Sequence, residues 1–461
     1  MHRSDVEQFL DQHRVERVRI EGVQSDGLPI GKILHPARFL DALEAGVGFV
    51  DYTWGTDRVG NPALGFSAPW RSTVVGDVYL IPDTTTLRVL PGAAGTATCL
   101  CDAVGSDGVA ISMCGRGAVR RMVEVLADRG FEAMFAFEVE GQFFHGTPGE
   151  HRASNWSGLR PFGTGGHLPY LVQDLHRLDP LLSEVCRRLD GLGVPWEAWN
   201  AEAAGGQFEV NISPSDPLQA ADHVLRVRQV CKEVAHEQGV SVTFMARVTE
   251  DYNNGLHVHH SLRANGEPVL YDAAEEDRLS AVAHRWLGGL MSTVTGVASF
   301  MAPTPNSFRR VEPFKAVPTH ATWDIDNKSA ALRVLSASPD SARIEHRMGA
   351  GDLHPYMVVA AILAGGVAGL DERLVVPSKF TKMAWGLPDG DDQPHRLPTS
   401  VIAACEALDS DLRLRAVLGD ELVDYWIGLR RFEWITFHTS GGDITSVGPT
   451  PWELDRYFET L

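Results

Sequence analysis

Phe135-Ala136-Phe137-Glu138-Val139-Glu140 and Leu256-His257-Val258-His259-His260-Ser261 are the two stretches whose reading decides the fold. In each, apolar residues alternate with acids or imidazoles. Side chains at i and i+2 of a strand share a face. Each stretch is therefore predicted as a strand, with Glu138 and Glu140, or His257 and His259, on one face. Phe135, Phe137 and Val139, or Val258 and Leu262, then face a core. Gln207-Phe208-Glu209-Val210 and Ile344-Glu345-His346-Arg347 repeat the pattern. Several strands that each give an acid-rich face imply a deep anionic cavity. Clustered carboxylates cannot all stay ionised unless cations join them. The economical reading is a multi-metal site for a phosphate-bearing substrate.

Length and charge bound the rest. A chain of 461 residues allows two or three domains, or one large catalytic body with a smaller companion. A net charge of −19 argues against unassisted binding to nucleic acid or to anionic membranes. The N-terminus is polar and amphipathic, with no signal-peptide core. The longest apolar stretch, Met357 to Leu370, is too short to span a bilayer and reads as a buried helix. Six scattered cysteines without a CxxC pair fit reduced core thiols in a cytoplasm.

The chain is expected to be α+β. Residues 4–14 read as a helix capped by Ser4 and Glu7, Val15 to Val23 as a strand, and Asp77 to Leu80 and Thr86 to Val89 as further strands. Pro91, Gly92 and Gly95 break the pattern, which places a domain boundary near residue 96. Helical spacing follows at Gly117–Asp128, Arg177–Leu192, Pro217–Glu237, Leu279–Ser292 and Leu353–Leu370, with further helices over 400–418, 421–437 and 451–461. The expectation is a small N-terminal domain over 1–96 and a catalytic domain over 97–461.

Glu138, Glu140, Glu202, Glu209 and Glu345, with His257, supply five carboxylates and one imidazole. Taken singly, each of these glutamates is more often a surface or salt-bridged residue. Together, each in a strand-like context, they point to a ligand set. Oxygen-dominated sets suit Mg²⁺ or Mn²⁺ rather than zinc or copper, and roughly two or three such ions would offset most of the charge and bridge phosphate oxygens. Strand alternation makes His259 the cavity residue and His260 a structural one.

Six ordered motifs carry a resemblance along nearly the whole chain. They are Phe137-Glu138-Val139-Glu140; Glu197 and Glu202 with Gly206-Gln207-Phe208-Glu209; Gly255 to Leu262; Asn306-Ser307-Phe308-Arg309-Arg310 with Pro313 and Pro318; Asn327-Lys328-Ser329-Ala330-Ala331-Leu332-Arg333; and Ile344-Glu345-His346-Arg347 with Asp352 and Pro355-Tyr356. In this order they resemble the glutamine synthetase family, bacterial type I branch. The resemblance implies a β-grasp-like N-terminal domain and a catalytic domain with a curved antiparallel sheet flanked by helices. It implies that Glu140, Glu202 and Glu209 hold a metal beside the acceptor acid, and that Glu138, His257 and Glu345 hold the metal that carries the ATP phosphates. Glu197, His259, Ser261 and Arg333 would contact ATP. Asn253, Gly255, Arg310 and Arg347 would contact glutamate, and Asp51, Arg310, Lys328 and Arg347 would serve catalysis. The arginines suit carboxylate and phosphate because their planar fork pairs bidentately. The implied assembly is a homo-oligomer of two stacked six-membered rings, a dodecamer, in which the Asp51 loop closes a neighbour's site.

The chain departs from glutamine synthetases around the expected ammonia pocket. There an acid matches Asp51, but Trp54 stands at the serine position and Ala316 at the glutamate position. Asn253 replaces a glycine, Lys328 an arginine and His354 an asparagine. No match to the tyrosine segment of adenylylation control is found. A site for ammonium needs acceptors, because a buried unpaired cation is expensive. An indole with no carboxylate points to an amine with an organic substituent. The expected activity is ATP-dependent joining of the glutamate γ-carboxylate to an amine through a γ-glutamyl phosphate. The competing readings are glutamine synthesis from ammonia, ligation of another carboxylic acid, and a non-enzymatic binding or regulatory role.

Overall fold

Glu132–His145 is a 14-residue strand in which Ala133, Phe135, Phe137 and Val139 are buried while Met134, Ala136, Glu138 and Glu140, on the other face, are half-buried, the last two lining a cavity. The computed structural model describes residues 1–63, 76–163, 168–312, 315–388, 390 and 393–461. Pro313, quoted in the arginine loop, lies outside them. The long strand is the spine of a ten-stranded sheet. It pairs antiparallel with Gln207–Ser215 on one side and Leu256–Ala264 on the other, and Arg343–His346 follows outside Leu256–Ala264. The sheet is antiparallel as expected except at its edge. There Trp323–Ile325 runs parallel to Leu332–Leu335, so the sheet is mixed.

The face opposite the cavity packs on Gly115–Ala127 and Pro217–Glu237. Behind them lies Pro355–Glu372. It is apolar and long enough to cross a membrane by composition, yet 83% of it is buried inside the fold. It meets Ala281–Met301 at very close range, because a Cβ on Gly366 would fall 2.3 Å from the Trp286 ring and one on Gly289 2.2 Å from Gly365 O. Small residues set this spacing, and nothing larger fits without moving a backbone. Trp286 Nε1 donates to His260 Nε2 at 2.8 Å, which fixes His260 as a structural residue.

The N-terminal sheet has six strands among the described residues, with Arg17–Val23 parallel to Thr96–Val104 at its centre. It therefore extends past residue 96 to Val104. The Pro91–Gly95 breaker is a hairpin turn, not a linker. Arg88–Val89 pairs back onto Thr96–Val104, with Leu90 N donating to Thr96 O at 2.8 Å. Several bounds also move. The first helix is Arg3–Gln12, preceded by His2, whose N–H is accepted by Asp5 rather than capped through Ser4. The Leu279–Ser292 expectation becomes Ala281–Met301, and the helix expected over 400–418 breaks into Val401–Asp409 and Leu412–Leu418 where Asp411 caps the second. The helix Asp420–Ser440 closes the first domain's core with Tyr425 and Leu429. At the same seam Arg430 pairs with Asp26, and Arg456 Nη2 donates to Asp57 at 2.7 Å.

His354 precedes the core helix and its Nδ1 accepts from Met357 N at 3.5 Å. Burial, opposed by Asp26 and assisted by Arg430 and Arg228, pushes its pKa down to about 3. His346 is pushed to about 3 and His260 well below its ordinary value, burial being the main cause in both. These histidines are neutral when folded but take up protons when unfolded below their ordinary pKa near 6.5. Their contribution is complete above that pH and is lost progressively as pH falls toward about 3. Each contributes a slope of about 1.4 kcal/mol per pH unit in that window. We expect His354→Asn, which keeps an acceptor but no titratable proton, to reduce the pH dependence of unfolding free energy between pH 6 and 5 by about one such slope. Urea denaturation at both pH values measures it, and equal slopes in variant and wild type would contradict the assignment.

Candidate active site

Strand register assembles the site. Glu138 lies directly opposite His257 on one neighbour and Asn211 on the other, and Glu140 lies opposite Glu209. One row further, His259 faces Glu345, which faces Arg333. All six expected ligands, Glu138, Glu140, Glu202, Glu209, His257 and Glu345, line one cavity of about 470 Å³. Asn253, Arg310, Ala316, Lys328, Arg333 and Arg347 share its walls.

Glu138 is the hub. Its Oε2 lies 2.9 Å from His257 Nδ1 and its Oε1 3.1 Å from His259 Nε2. Ligand atoms of Glu138, Glu209 and His257 lie within 4.8 Å of one another, as do those of Glu138, His259 and Glu345. Burial would raise Glu138, but hydrogen bonds and charge from His257 and His259 outweigh it and hold it far below the carboxylate range. The other acids are pushed the opposite way. Burial and then the charge of Glu140 raise Glu202 to about 7. Burial and then Glu138 and Glu140 raise Glu209. Like charges directly opposite across strands are destabilising, and divalent cations among them would remove the conflict. The donor set of carboxylate oxygens and imidazoles fits Mg²⁺ or Mn²⁺.

Glu140 is fixed by the chain around it. Its Oε2 accepts from Gly255 N at 2.7 Å and from Gln207 Nε2 at 3.2 Å. Arg310 is buried against Met348 O and Gly349 O, at 3.2 and 2.7 Å, and its Nε has no partner among the described residues. Arg347 and Arg333 both pair with Glu345, the latter at 3.0 Å. Burial would raise Glu345, but the charges of Arg347, His257 and His259 outweigh it and lower it. Ala316 sits in the wall at φ +58°, a left-handed backbone that a β-carbon tolerates poorly.

Several expected residues stand elsewhere. His259 is drawn into the acid cluster, and Arg333 is held by Glu345 and Asp326. Ser261 shares the face of His257 and His259 but lies opposite Met134, beyond the lining residues. Glu197 is exposed where the register shifts between Asn211 and Ile212, outside the cavity. Asp51 is buried in its own domain and accepts from Gly76 N at 2.7 Å. Trp54 is 0% exposed in the first domain's core, and its carbonyl accepts from Tyr425 OH at 2.6 Å. The short 3-10 turn Asp51–Gly55 turns Trp54 inward and leaves Tyr52 outward at 43% exposure. Trp54 therefore does not form an amine-pocket wall.

Tyr170 is a lining residue with no role assigned from the sequence. Tyr170, at φ +67°, donates its N–H to Ala201 O at 2.8 Å and places its ring at the cavity. Its loop has no periodicity that could reveal it. Gln207 stands where strand alternation places it, two residues from Glu209 on the same face.

A family model described as "Glutamine synthetase, catalytic domain" matches residues 112–457. A γ-glutamylethanolamide synthetase, GlnA4, of Streptomyces coelicolor is 31% identical, covering 94% of this chain and 90% of its own. A glutamate–isopropylamine ligase of a Pseudomonas species is 26% identical, covering 99% and 98%. The solved structure described as "GmaS/ADP complex-Conformation 1" superposes with a TM-score of 0.82 at 24% identity, covering 98% of each chain.

Gly255 leaves the room that Glu140 needs. A Cβ there would fall 2.9 Å from Glu140 Oε1 and 3.0 Å from Arg310 Nη2. Gly255→Ala should displace these groups and lower turnover on the order of 100-fold, with an unchanged circular dichroism spectrum. Near-wild-type rates would show that the placement of Glu140 is not critical.

Proposed function

Because the chain belongs to the glutamine synthetase family, we propose that it is an ATP-dependent ligase joining the γ-carboxylate of glutamate to a small primary amine. One observation carries this reading: the six acid and imidazole groups share a single cavity with Arg310, Lys328 and Arg347. An anionic floor with a cationic rim matches a metal-bound polyphosphate beside a carboxylate. The names of the two relatives, for ethanolamine and isopropylamine products, support the amine class.

In this reading Glu140, Glu202 and Glu209 would hold one divalent ion, and Glu138, His257 and Glu345 another, with His259 fixing Glu138; such ions would supply charge neutralisation at the phosphates. Arg310 and Arg347 grip the acid and the transferring phosphoryl group, and Lys328 adds a point charge. The acid oxygen attacks the γ-phosphorus and ADP leaves. The amine then attacks the acyl phosphate, and phosphate departs. A group must take the amine's proton. Asp51 of a neighbouring chain is proposed to take it. Glu197 and Ser261 remain proposed ATP contacts, and Asn253 a contact to the acceptor acid. Ala316, Val317 and Tyr170 form the wall that receives the amine substituent. That Asp51 lies away from its own chain's cavity supports a homo-oligomer, proposed as a dodecamer, acting in the cytoplasm.

Three outcomes are expected. Phosphate release with glutamate should be faster, by kcat/KM, with ethanolamine or isopropylamine than with ammonium. A higher value for ammonium would favour glutamine synthesis instead. Ala316→Glu should move this preference toward ammonium by roughly tenfold to a hundredfold, since such contacts are worth about 1–3 kcal/mol. Excess EDTA, or Glu138→Ala or Glu345→Ala, should lower turnover on the order of 100-fold or more. Full activity in chelator would exclude the metal assignment.

A further inference from the structure

A second cavity of about 310 Å³ lies between the N-terminal sheet and the helices behind the catalytic sheet. Its walls come from the 83–88 segment, from Gly115–Ala127, from residues 192–195, and from the first turns of Pro217–Glu237. Three carboxylates line it, and all are engaged. Asp83 accepts from Arg116 Nη2 at 2.9 Å, Arg120 Nη2 at 2.7 Å and Thr85 N at 3.1 Å. Asp222 accepts from Arg116 Nε at 3.0 Å and Tyr356 OH at 2.6 Å. Asp216 caps its helix, accepting from Leu218 N and Gln219 N at 3.1 Å each.

The cations are not all engaged. Arg116 and Arg120 are consumed by Asp83, Asp102 and Asp222. Arg226 is only 6% exposed; its Nη1 pairs with Glu21, but its Nη2 has no partner among the described residues. Among the described residues, Arg88 donates only to the carbonyls of Thr85 and Leu87, at 3.0 and 2.8 Å. Both guanidiniums act on one ring: His223 is lowered chiefly by burial, against Asp222 and Asp216, with Arg88 and Arg226 adding to the effect. Arg226 Nη2 and the Nε and Nη2 of Arg88 therefore remain as unspent donors among the described residues. A buried guanidinium N–H left unpaired is costly, and two planar donor forks suit oxyanions.

We propose that this cavity binds a small dianion, a carboxylate- or phosphate-bearing metabolite, between Arg226 and Arg88. The ligand would tie the N-terminal domain to the helix that directly follows the Glu209 strand. No catalytic role is attached to it, and the proposal does not depend on the ligase reading. Isothermal titration of the full-length protein with inorganic phosphate, and separately with succinate, at fixed ionic strength tests it. One site per chain is expected for at least one anion, and which one binds distinguishes the two sources. Arg226→Gln and Arg88→Gln should each weaken that binding tenfold or more. Lys328→Ala, in the catalytic cavity, should leave it within twofold. Arg88 lies on an exposed strand, so Arg88→Gln decides the matter even if Arg226→Gln fails to fold. Absence of binding by both anions, an adventitious ion only, binding unchanged in Arg88→Gln, or binding lost in Lys328→Ala would each overturn the proposal.

Discussion

Glu140 and Glu209 face each other across two hydrogen-bonded strands, and the rest of the structure has to accommodate that repulsion. Two carboxylates so placed, with Glu138 and Glu202 beside them, would ordinarily weaken a sheet. The register cannot slip to relieve it, because a one-residue shift would turn Phe137, Val139, Phe208 and Val210 out of the core. The apolar face thus holds the acid face in a conflict it would not choose. Partial relief comes from inside the chain: His257 and His259 brace Glu138, and Arg333 and Arg347 brace Glu345. Among the described residues Glu202 and Glu209 pair with asparagines rather than with a cationic side chain, and they are the two of these acids whose proton affinity rises. Those are the places where divalent cations have most to contribute.

The core behind the sheet supplies the rigidity. The glycine contacts between Ala281–Met301 and Pro355–Glu372 allow two helices to approach at backbone distance. The Trp286 hydrogen bond to His260 then locks the back of the same strand that carries His257 and His259 in front. Alternation along a single strand links packing to chemistry: His260 is neutral because it is buried, and its neighbours bind an acid because they are not in the core. On the far side, Asp352 accepts from Thr304 at 2.7 Å and from Ser307 at 2.9 and 2.7 Å, which anchors the loop leading to Arg310.

The sequence made the sheet legible wherever period two is strict. Glu138, Glu140, Glu209, His257 and Glu345 could be assigned to one surface because each is flanked by residues that must be buried. Glu202 lies just beyond a strand, where alternation no longer fixes its direction. Loop residues were a different matter. Tyr170 and Ala316 adopt positive φ without being glycine, and local sequence gives no sign of that. Trp54 was misread because its position in the chain was taken for its direction; a 3-10 turn rotated the indole into its own domain. The Pro91–Gly95 breaker suggests a domain boundary because a hairpin turn and a boundary use the same residues. Pairing within the acid cluster was also beyond sequence. Which carboxylate His259 meets depends on rotamers that only the packed cavity decides.

The central claim is that this acid face positions a carboxylate for phosphorylation by ATP before the amine arrives. The most direct measurement uses glutamate labelled with ¹⁸O in its γ-carboxylate, with ATP, magnesium and ethanolamine, and mass analysis of the products. ADP is expected, with one ¹⁸O carried into inorganic phosphate for every amide formed. Formation of the amide with unlabelled phosphate, or with AMP and pyrophosphate in place of ADP, would contradict it.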